Sequence, residues 1–514
     1  MAQELKHVTI SAPGFLGINT QDSPIGLDPA YASIADNCVI DQLGRVGARK
    51  GYDLLTTNGP AVLGTSRGIE AMVEFISRTG VTTVFSAGNN KIFTGTTTLV
   101  ECTLPAGYVI TDNNWKMVSF NNDVYFFQKG HAPLQSIVGS TTLILLPSSG
   151  GNLVPKGNEL LAAYGRLWTC DIVNNKYTVY WSSLLAGDDW HGGSSGSLDL
   201  TTVWPNGYDE VVALAEHNNF LLVFGKKNII VYSGAESPNS DLTLHDTIEG
   251  TGCIARDSIQ STGTDLLFLS SRGVMSLGRL LQQKSLPLGD ISKNVRTDLL
   301  GFVEAEQHAN GHREAIKAVY SPIDAFYLIT FPESGIVYCF DVRQPLENGS
   351  FRVTTWSSLK PTAFFLFVDD TLYMGQALGI AQYGGYLDGD ERYQLRYFSN
   401  PNDFQSPANL KFLKKFNLTI IGGQGTPTTL NWGYDYTSAF TKQEFTFGSS
   451  NIAEYGLSEY NTDAEYSASI VIQTPKVNST GSGSVVTVGI EAEINNAAFS
   501  IQKIDILALI GRLI

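Results

Sequence analysis

Short apolar runs alternate with polar turns through most of the chain. The clearest case is the stretch from Asn219 to Gly278, which contains two successive units of similar layout. In the first unit, two apolar runs are joined by a Gly-Lys-Lys-Asn turn, which predicts a β-hairpin. The second unit repeats this plan, with strands at Leu266–Leu269 and Val274–Leu277 around a turn at Ser270–Gly273. Neither unit contains a catalytic constellation, so the pattern predicts architecture.

Units of this kind recur through residues 66–400. Two apolar strands with a polar hairpin between them appear about every 45 to 55 residues, close to the roughly 40 to 50 residues of a propeller blade. A blade is a small sheet that cannot bury both faces alone, and closing the ring removes most exposed strand edges. The spacing therefore predicts a mainly β fold with a β-propeller, in which six blades are favoured over seven. An array of plain β-sandwiches is the competing interpretation.

The two ends of the chain differ from the middle in their turn residues and in their pattern of apolar and polar positions. Residues 1–65 hold many Gly and Pro turns and predict an extended N-terminal arm, lying across a partner or its own domain, with a short helix near Ala30–Asn37. In residues 401–514, apolar and polar positions alternate, as in Phe499–Gly511, which is typical of sheets with one buried face. We therefore expect an arm at 1–65, a propeller at 66–400 and a β-rich platform or sandwich at 401–514 whose last strand closes the fold.

The net charge and the spacing of the cysteines limit which functions the chain can have. The 514 residues carry a net charge of −15, which argues against a general nucleic-acid-binding surface, because such surfaces collect Lys and Arg. The same charge permits an acidic wall that repels DNA. The five cysteines are far apart and odd in number, which predicts reduced, buried thiols. The sequence shows neither a signal peptide nor a long apolar run, so we expect a protein made in the cytosol and kept there or released by lysis.

Several catalytic patterns match formally but lack their structural context. Gly250–Ala255 fits a dinucleotide-binding pattern without the strand and helix that this chemistry needs. Gly192–Gly196 fits a nucleophile elbow but lies in a Gly/Ser loop. His308 and His312 lack the order of a zinc motif, and Asp388–Glu391 is too short for a calcium loop. The sequence therefore predicts no catalytic residue, no cofactor and no metal site.

The N-terminal segment carries a set of residues that resembles the opening of tail nozzle and packaged-DNA stabilisation proteins of short-tailed bacteriophages. The matching positions are Gly14, Gly17, Asn37, Asp41, Gly44, Arg49, Gly51 and Tyr52. Further similar segments follow in the family's order, at 164–183, 211–234, 248–278, 326–343 with a Trp at 356, and 500–512. Each motif is degenerate, but together they span nearly the whole chain.

The resemblance implies a propeller-containing subunit in a ring of six below the portal and adaptor. The channel of that ring would hold packaged DNA and conduct it during ejection, without sequence-specific binding. Its partners would be further copies, the head–tail connector, and tail fibres or a tail needle, in a virion tail assembled in the host cytoplasm. The candidate interface residues are Asn37 and the basic cluster Arg45, Arg49 and Lys50, although such a cluster alone is typical of solvated surface. The alternatives are another structural or receptor-facing propeller module of a phage tail and, more distantly, a propeller hydrolase.

Overall fold

The computed structural model describes residues 4–63, 68–111, 114–147, 154–205, 207–283, 289–310, 313–437, 439–446 and 472–513. Strands hold 49% of the chain and helices 7%. The α-helices of the described residues are Gly59–Leu63, Leu277–Gln283 and Arg296–Asn310. The prediction of a mainly β chain built around a six-bladed propeller is confirmed.

Six four-stranded antiparallel blades are found in the described residues. In chain order, their strands are Ile69–Ile76, Thr82–Gly88, Lys91–Thr94 and Val100–Glu101 (blade 1); Lys116–Phe120, Asp123–Phe127, Leu134–Ile137 and Ile144–Leu145 (blade 2); Glu159–Ala163, Arg166–Cys170, Thr178–Trp181 and Gly196–Asp199 (blade 3); Val211–His217, Phe220–Gly225, Ile229–Ser233 and Thr243–Ile248 (blade 4); Lys317–Ser321, Phe326–Phe331, Ile336–Asp341 and Arg352–Trp356 (blade 5); Ala363–Leu366, Leu372–Gln376, Gly379–Gly384 and Gly51–Leu54 (blade 6). The last strand of blade 6 comes from the N-terminal segment, which joins the two ends of the ring sequence.

A smaller three-stranded sheet stands between blades 4 and 5. Its strands are Gln260–Ser261, Leu266–Ser270 and Gly273–Ser276. On one side, its Phe268 packs edge-on against Phe224 of blade 4, with ring centroids 5.1 Å apart. On the other side, the Tyr327 hydroxyl of blade 5 donates a hydrogen bond to Ser258 O at 2.7 Å. The hairpins predicted within Asn219–Gly278 therefore belong to blade 4 and this sheet.

Local turn chemistry explains how the blades reverse direction. Tight turns at residues 89–90, 121–122 and 218–219 each consist of two asparagines, and both residues of each pair have positive φ. Turns of this kind match the right-handed twist of the flanking strands, and asparagine tolerates the left-handed conformation better than most residues. The Asn-Asn pairs thus fix the register of three hairpins.

Large apolar side chains fill the spaces between neighbouring blades. Phe85 of blade 1 packs against Phe126 of blade 2, and Phe127 of blade 2 packs against Trp190 after the third strand of blade 3. Separate clusters of buried residues lie between blades 6 and 1, 1 and 2, 2 and 3, and 3 and 4. Each blade therefore buries its two faces against its neighbours, as the repeat spacing predicted.

The platform consists of two packed sheets that share one core. The first sheet contains Glu4–Ser11, Cys38–Ile40, Val46–Ala48, Asn409–Gly422, Ile472–Gln473, Lys476–Asn478, Ser482–Gly483 and Phe499–Leu513. The second sheet continues from blade 5 through Gly17–Ile18, Tyr31–Asp36, Tyr393–Ser399, Val486–Ile494, Pro427–Tyr434 and Thr441–Thr446. Backbone hydrogen bonding is therefore continuous from the propeller into the platform.

The strands of the N-terminal segment are distributed over the rest of the fold. Glu4–Ser11 pairs antiparallel with the last strand, from Ile510 to Lys503. Tyr31–Asp36 lies between blade 5 and the platform. The predicted helix near Ala30–Asn37 is wrong, because pairing of this segment with Tyr393–Ser399 overrides its local preference.

Candidate functional site

The four candidate interface residues lie where blade 5, blade 6, the platform and the N-terminal segment meet. Asn37 and Arg49 are buried, Arg45 is 7% exposed, and Lys50 is partly exposed. All four make contacts within the chain. The segment that the resemblance singles out is therefore a structural junction within this chain.

Arg49 is the centre of this junction. Its guanidinium is fully buried and binds both carboxylate oxygens of Asp388, at 2.8 and 2.6 Å. It also donates to Asn37 Oδ1 at 3.2 Å and to Ser358 Oγ at 2.5 Å. The guanidinium carbon lies 4.1 Å from the centre of the Tyr393 ring. A planar guanidinium suits this combination of a two-point carboxylate contact and an aromatic face.

Asn37 occupies a bend between two strands, with φ of 52°. Its amide nitrogen donates to Gln394 O at 3.0 Å, on the platform strand Tyr393–Ser399. Its Oδ1 accepts from the backbone nitrogens of Ser357 and Ser358, at 3.2 and 3.3 Å, just beyond blade 5. One buried amide thus ties the propeller to the platform.

Arg45 and Lys50 are held at the edges of the same junction. Arg45 Nε donates to Asp41 Oδ2 at 2.9 Å. Lys50 Nζ lies 4.3 Å from the centre of the Tyr386 ring. The basic cluster that the sequence suggested as surface is therefore used largely in internal contacts.

A second polar cluster, not foreseen from the sequence, lies on the propeller axis. The first strand of each blade is the innermost, and several inner strands have a charged residue at their first or second position: Glu70 in blade 1, Lys116 in blade 2, Glu159 in blade 3 and Lys317 in blade 5. Arg256 and Asp257 lie in the single 3-10 turn that precedes the three-stranded sheet. We call Lys116, Glu159, Arg256, Asp257 and Lys317 the axial cluster.

Asp257 lies among the three cations of the axial cluster. Its Oδ1 accepts a hydrogen bond from Lys116 Nζ at 2.9 Å. Its Oδ2 accepts from Arg256 Nη2 at 2.6 Å and from Lys317 Nζ at 2.5 Å. Lys116 Nζ is also 3.6 Å from a carboxylate oxygen of Glu159. Groups from four units of the ring therefore meet within hydrogen-bond distance.

Two asparagines that precede inner strands, Asn114 and Asn158, hydrogen-bond to the axial cluster and help to fill the propeller axis. Asn114 Oδ1 accepts from Arg256 Nη2 at 3.0 Å and from Lys317 Nζ at 2.9 Å. Asn158 Oδ1 accepts from Arg256 Nη1 at 3.0 Å. The amide nitrogens of both asparagines donate to Glu314, at 2.7 and 3.2 Å. The axis of the propeller is thus filled by a satisfied polar network.

Burial and charge act in opposite directions on these groups. Burial raises the pKa of Asp257, but the three surrounding cations outweigh it and hold that pKa well below its usual range. Burial also raises the pKa of Glu159, and here the nearby cations offset it only in part. Burial lowers the pKa of Lys317 against the attraction of Asp257. Asp257 is therefore the carboxylate whose negative charge the cluster favours most strongly.

The axial cluster has a sequence signal that becomes visible once the blades are aligned. Charged residues are rare at the start of apolar strands, yet they recur at the first or second position of the inner strands of blades 1, 2, 3 and 5. Corresponding positions at the start of the inner strands lie near the propeller axis, so a charge that recurs there in several blades indicates an axial cluster. The weak identity between the units concealed this correspondence.

The formal catalytic motifs lie in settings that do not fit their chemistry. Gly250–Ala255 is an irregular segment followed by a 3-10 turn, and Gly192–Gly196 is a loop that enters the last strand of blade 3. His308 lies on the helix Arg296–Asn310, and His312 falls outside the described residues. Asp388 serves as the partner of Arg49. Among the described residues, we find no group of three His, Cys, Asp or Glu side chains that could hold a metal.

The cysteines match the sequence expectation. All five are buried and free, and burial raises the pKa of the Cys102 thiol to about 12. Such thiols are protonated and unreactive at neutral pH. Within the described part of the chain, no helix combines the length and apolar character needed to cross a membrane.

Comparisons with known proteins bear on the fold alone. No family model and no curated protein matches the chain. Among solved structures, the chain is similar to the WD40 domain of Neurospora crassa Pan2, at 8% identity and a TM-score of 0.39, covering 66% of this chain and 95% of that one. It is also similar to the WD40 propeller domain of Doa1, at 13% identity and a TM-score of 0.36, covering 65% of this chain and 96% of that one.

The computationally designed protein Ika8 gives a TM-score of 0.36 at 14% identity, covering 69% of this chain and 95% of that one. Likenesses at this level carry no argument about function. The propeller and the platform are defined by the pairing of the strands in this chain.

Proposed function

We propose that this chain is a non-enzymatic structural subunit of a short phage tail. In this proposal, copies form a ring below the portal and adaptor, which retains packaged DNA and conducts it during ejection. The observation that carries the proposal is the ordered set of resembling segments, which runs from Gly14 to Arg512 and so spans nearly the whole chain.

The way the resembling segments pack supports an integral subunit. The first strand, Glu4–Ser11, pairs along the last, Phe499–Leu513. The residues shared with the family's opening, including Asn37 and Arg49, join the propeller to the platform. A ring subunit that carries load along a tail needs its domains rigidly connected, and these contacts supply such a connection.

The filled axis constrains where DNA would pass. Because the axial cluster and its asparagines lie within hydrogen-bond distance of one another, the propeller leaves no space for a duplex. A DNA path in the proposed assembly therefore runs between subunits, along the axis of the ring.

The charge of the chain suits a conduit. Six copies at −15 each would carry a total of about −90, facing a duplex with one negative charge per roughly 1.7 Å of axis. If acidic residues line the lumen, the wall repels the phosphates, and the DNA slides without adhering.

Association with the adaptor tests the proposal. The purified chain is mixed with the adaptor ring of the same virion, and the mass of the complex is measured by native mass spectrometry. We expect a complex that contains six copies of this chain per adaptor ring. A chain that stays monomeric and unbound at every ratio would exclude the proposed role.

A further inference from the structure

Exposed aliphatic side chains gather at one end of four neighbouring blades. The six that define this arc are Ile76, Val81, Val138, Leu184, Leu185 and Val368, and their exposed fractions run from 44% to 76%. They come from blades 1, 2, 3 and 6. Single exposed aliphatic residues are common, but six of them on neighbouring loops at one end of the propeller point to an interaction surface.

Hydrogen bonds between adjacent blades show that these residues share one face. The Val368 nitrogen donates to a carboxylate oxygen of Glu74 at 2.8 Å, which joins blades 6 and 1. The Arg78 nitrogen donates to Asn122 at 2.9 Å, which joins blades 1 and 2. The Asn121 amide donates to Leu185 O at 2.6 Å, which joins blades 2 and 3. The loops that carry the arc are therefore joined to one another across four blades.

Two residues of the arc have a backbone conformation that aliphatic side chains rarely adopt. Val138 has φ of 50° and Leu185 has φ of 56°, in the left-handed region that is costly for residues with a Cβ and most costly for β-branched ones. Both side chains point into solvent, at 53% and 60% exposure. Strain that presents an apolar side chain to water contributes nothing to folding, and such strain is often kept for function.

The charges around the arc specify what it would bind. Three exposed carboxylates, Asp188, Asp369 and Asp370, lie in the same loops, against one exposed cation, Arg78. Arg78 already donates to Asn121 Oδ1 at 3.0 Å. A partner that covers the arc must therefore offer an aliphatic centre with a basic border.

We propose that this arc is a docking surface for a second protein that presents an aliphatic surface with a basic border. A face-to-face contact with the same arc of another copy would oppose like charges, and an anionic lipid surface would be repelled. The proposal concerns this face of the propeller and does not depend on the role in a tail.

A binding experiment with probes of defined chemistry tests this docking surface. The full-length chain is titrated into a fluorescein-labelled amphipathic helical peptide of leucine and lysine, with a leucine and glutamate peptide of the same pattern as the comparison. We expect at least tenfold tighter binding of the lysine peptide. The double variant Leu185→Ser/Val368→Ser is expected to weaken that binding about tenfold.

Matched variants separate docking from non-specific attraction and from folding. Val109→Ser and Val173→Ser change valines of similar exposure, 69% and 50%, in the loops at the opposite ends of the blades, and binding is expected to stay unchanged. Val138→Asn relieves the left-handed strain, so it is expected to keep or raise the melting temperature while weakening binding.

Three results would overturn the proposal. The first is equal affinity for the lysine and glutamate peptides. The second is an equal loss of lysine-peptide binding in the opposite-face variants Val109→Ser and Val173→Ser. The third is a concentration-dependent dimer, or binding to anionic vesicles, that Leu185→Ser/Val368→Ser abolishes.

Discussion

Asp257 illustrates how a charge that is largely removed from water, with 15% of its side chain exposed, can be both costly and necessary. Taking one carboxylate and three cations out of water is unfavourable, and the arrangement is stable only because every charge finds a partner. Asp257 reaches Lys116, Arg256 and Lys317 at 2.5 to 2.9 Å. Removing it leaves the buried Arg256 and Lys317 and the partly exposed Lys116 without their shared counter-charge, so the loss exceeds that of an exposed ion pair.

We therefore expect Asp257→Asn to lower the free energy of unfolding by about 3 to 5 kcal/mol. Urea denaturation of the purified chain measures this change. Glu210 provides a control, because it also pairs with two lysines but those lysines are more exposed; Glu210→Gln should cost about 1 kcal/mol or less. Equal losses in the two variants would refute the special role of the axial cluster.

The stability difference between the wild type and Asp257→Asn should depend on pH. The folded-state pKa of Asp257 is held well below its usual range, so its contribution is fully present above the unfolded value of about 3.9. As the pH falls below that value towards the lower folded-state pKa, the contribution is lost progressively, so the stability difference between the two proteins is smaller at pH 3 than at pH 7. Denaturation of both at pH 7 and at pH 3 checks this. A difference that stays constant with pH would contradict it.

Arg49 depends on geometry as well as on charge. A lysine in its place keeps the charge but cannot bind both oxygens of Asp388 and also reach Asn37 and Ser358. Arg49→Lys should lower the free energy of unfolding by about 3 kcal/mol. Arg392→Lys changes an exposed pair with Glu493, and its effect should stay within about 0.5 kcal/mol. If Arg49→Lys left the free energy of unfolding unchanged, the stability of the junction would not depend on the guanidinium.

At the scale of elements, the N-terminal strands make the propeller and platform one structure. Gly51–Leu54 forms the outer strand of blade 6, and Glu4–Ser11 covers the edge of the last strand. Tyr31–Asp36 bridges blade 5 and the platform. These pairings join segments that lie hundreds of residues apart in sequence, so they are non-local contacts.

Deleting residues 1–57 should therefore destabilise the whole chain. Blade 6 would expose the edge of Gly379–Gly384, and the last strand would expose its edge to solvent. We expect the shortened chain to melt at a lower temperature and to aggregate, as followed by circular dichroism and size-exclusion chromatography. A monodisperse fragment that melts like the full chain would contradict this.

The sequence predicts elements made by local contacts and misses those made by distant ones. The hairpins in Asn219–Gly278 follow from apolar runs and turn residues, which act over a few positions. The strand Tyr31–Asp36 was missed because two of the strands that it pairs with, Arg352–Trp356 and Tyr393–Ser399, lie more than 300 residues away. The axial cluster was missed for the same reason, since Lys116 and Lys317 meet only when the ring closes.

At the scale of the molecule, the propeller is closed along its own axis and continuous with a platform. In the proposed assembly, this closed axis would make each copy a solid block, and the passage for DNA would be formed between copies. The net charge of −15 then matters through its placement around that passage. The proposed function thus depends on how copies are arranged.

Cryo-electron microscopy of the chain assembled on its adaptor ring tests this account most directly. We expect six copies around a central channel that lies outside every propeller axis, with more acidic than basic side chains on the channel wall. A map in which the copies form no ring, or in which the channel wall is neutral or basic, would contradict it.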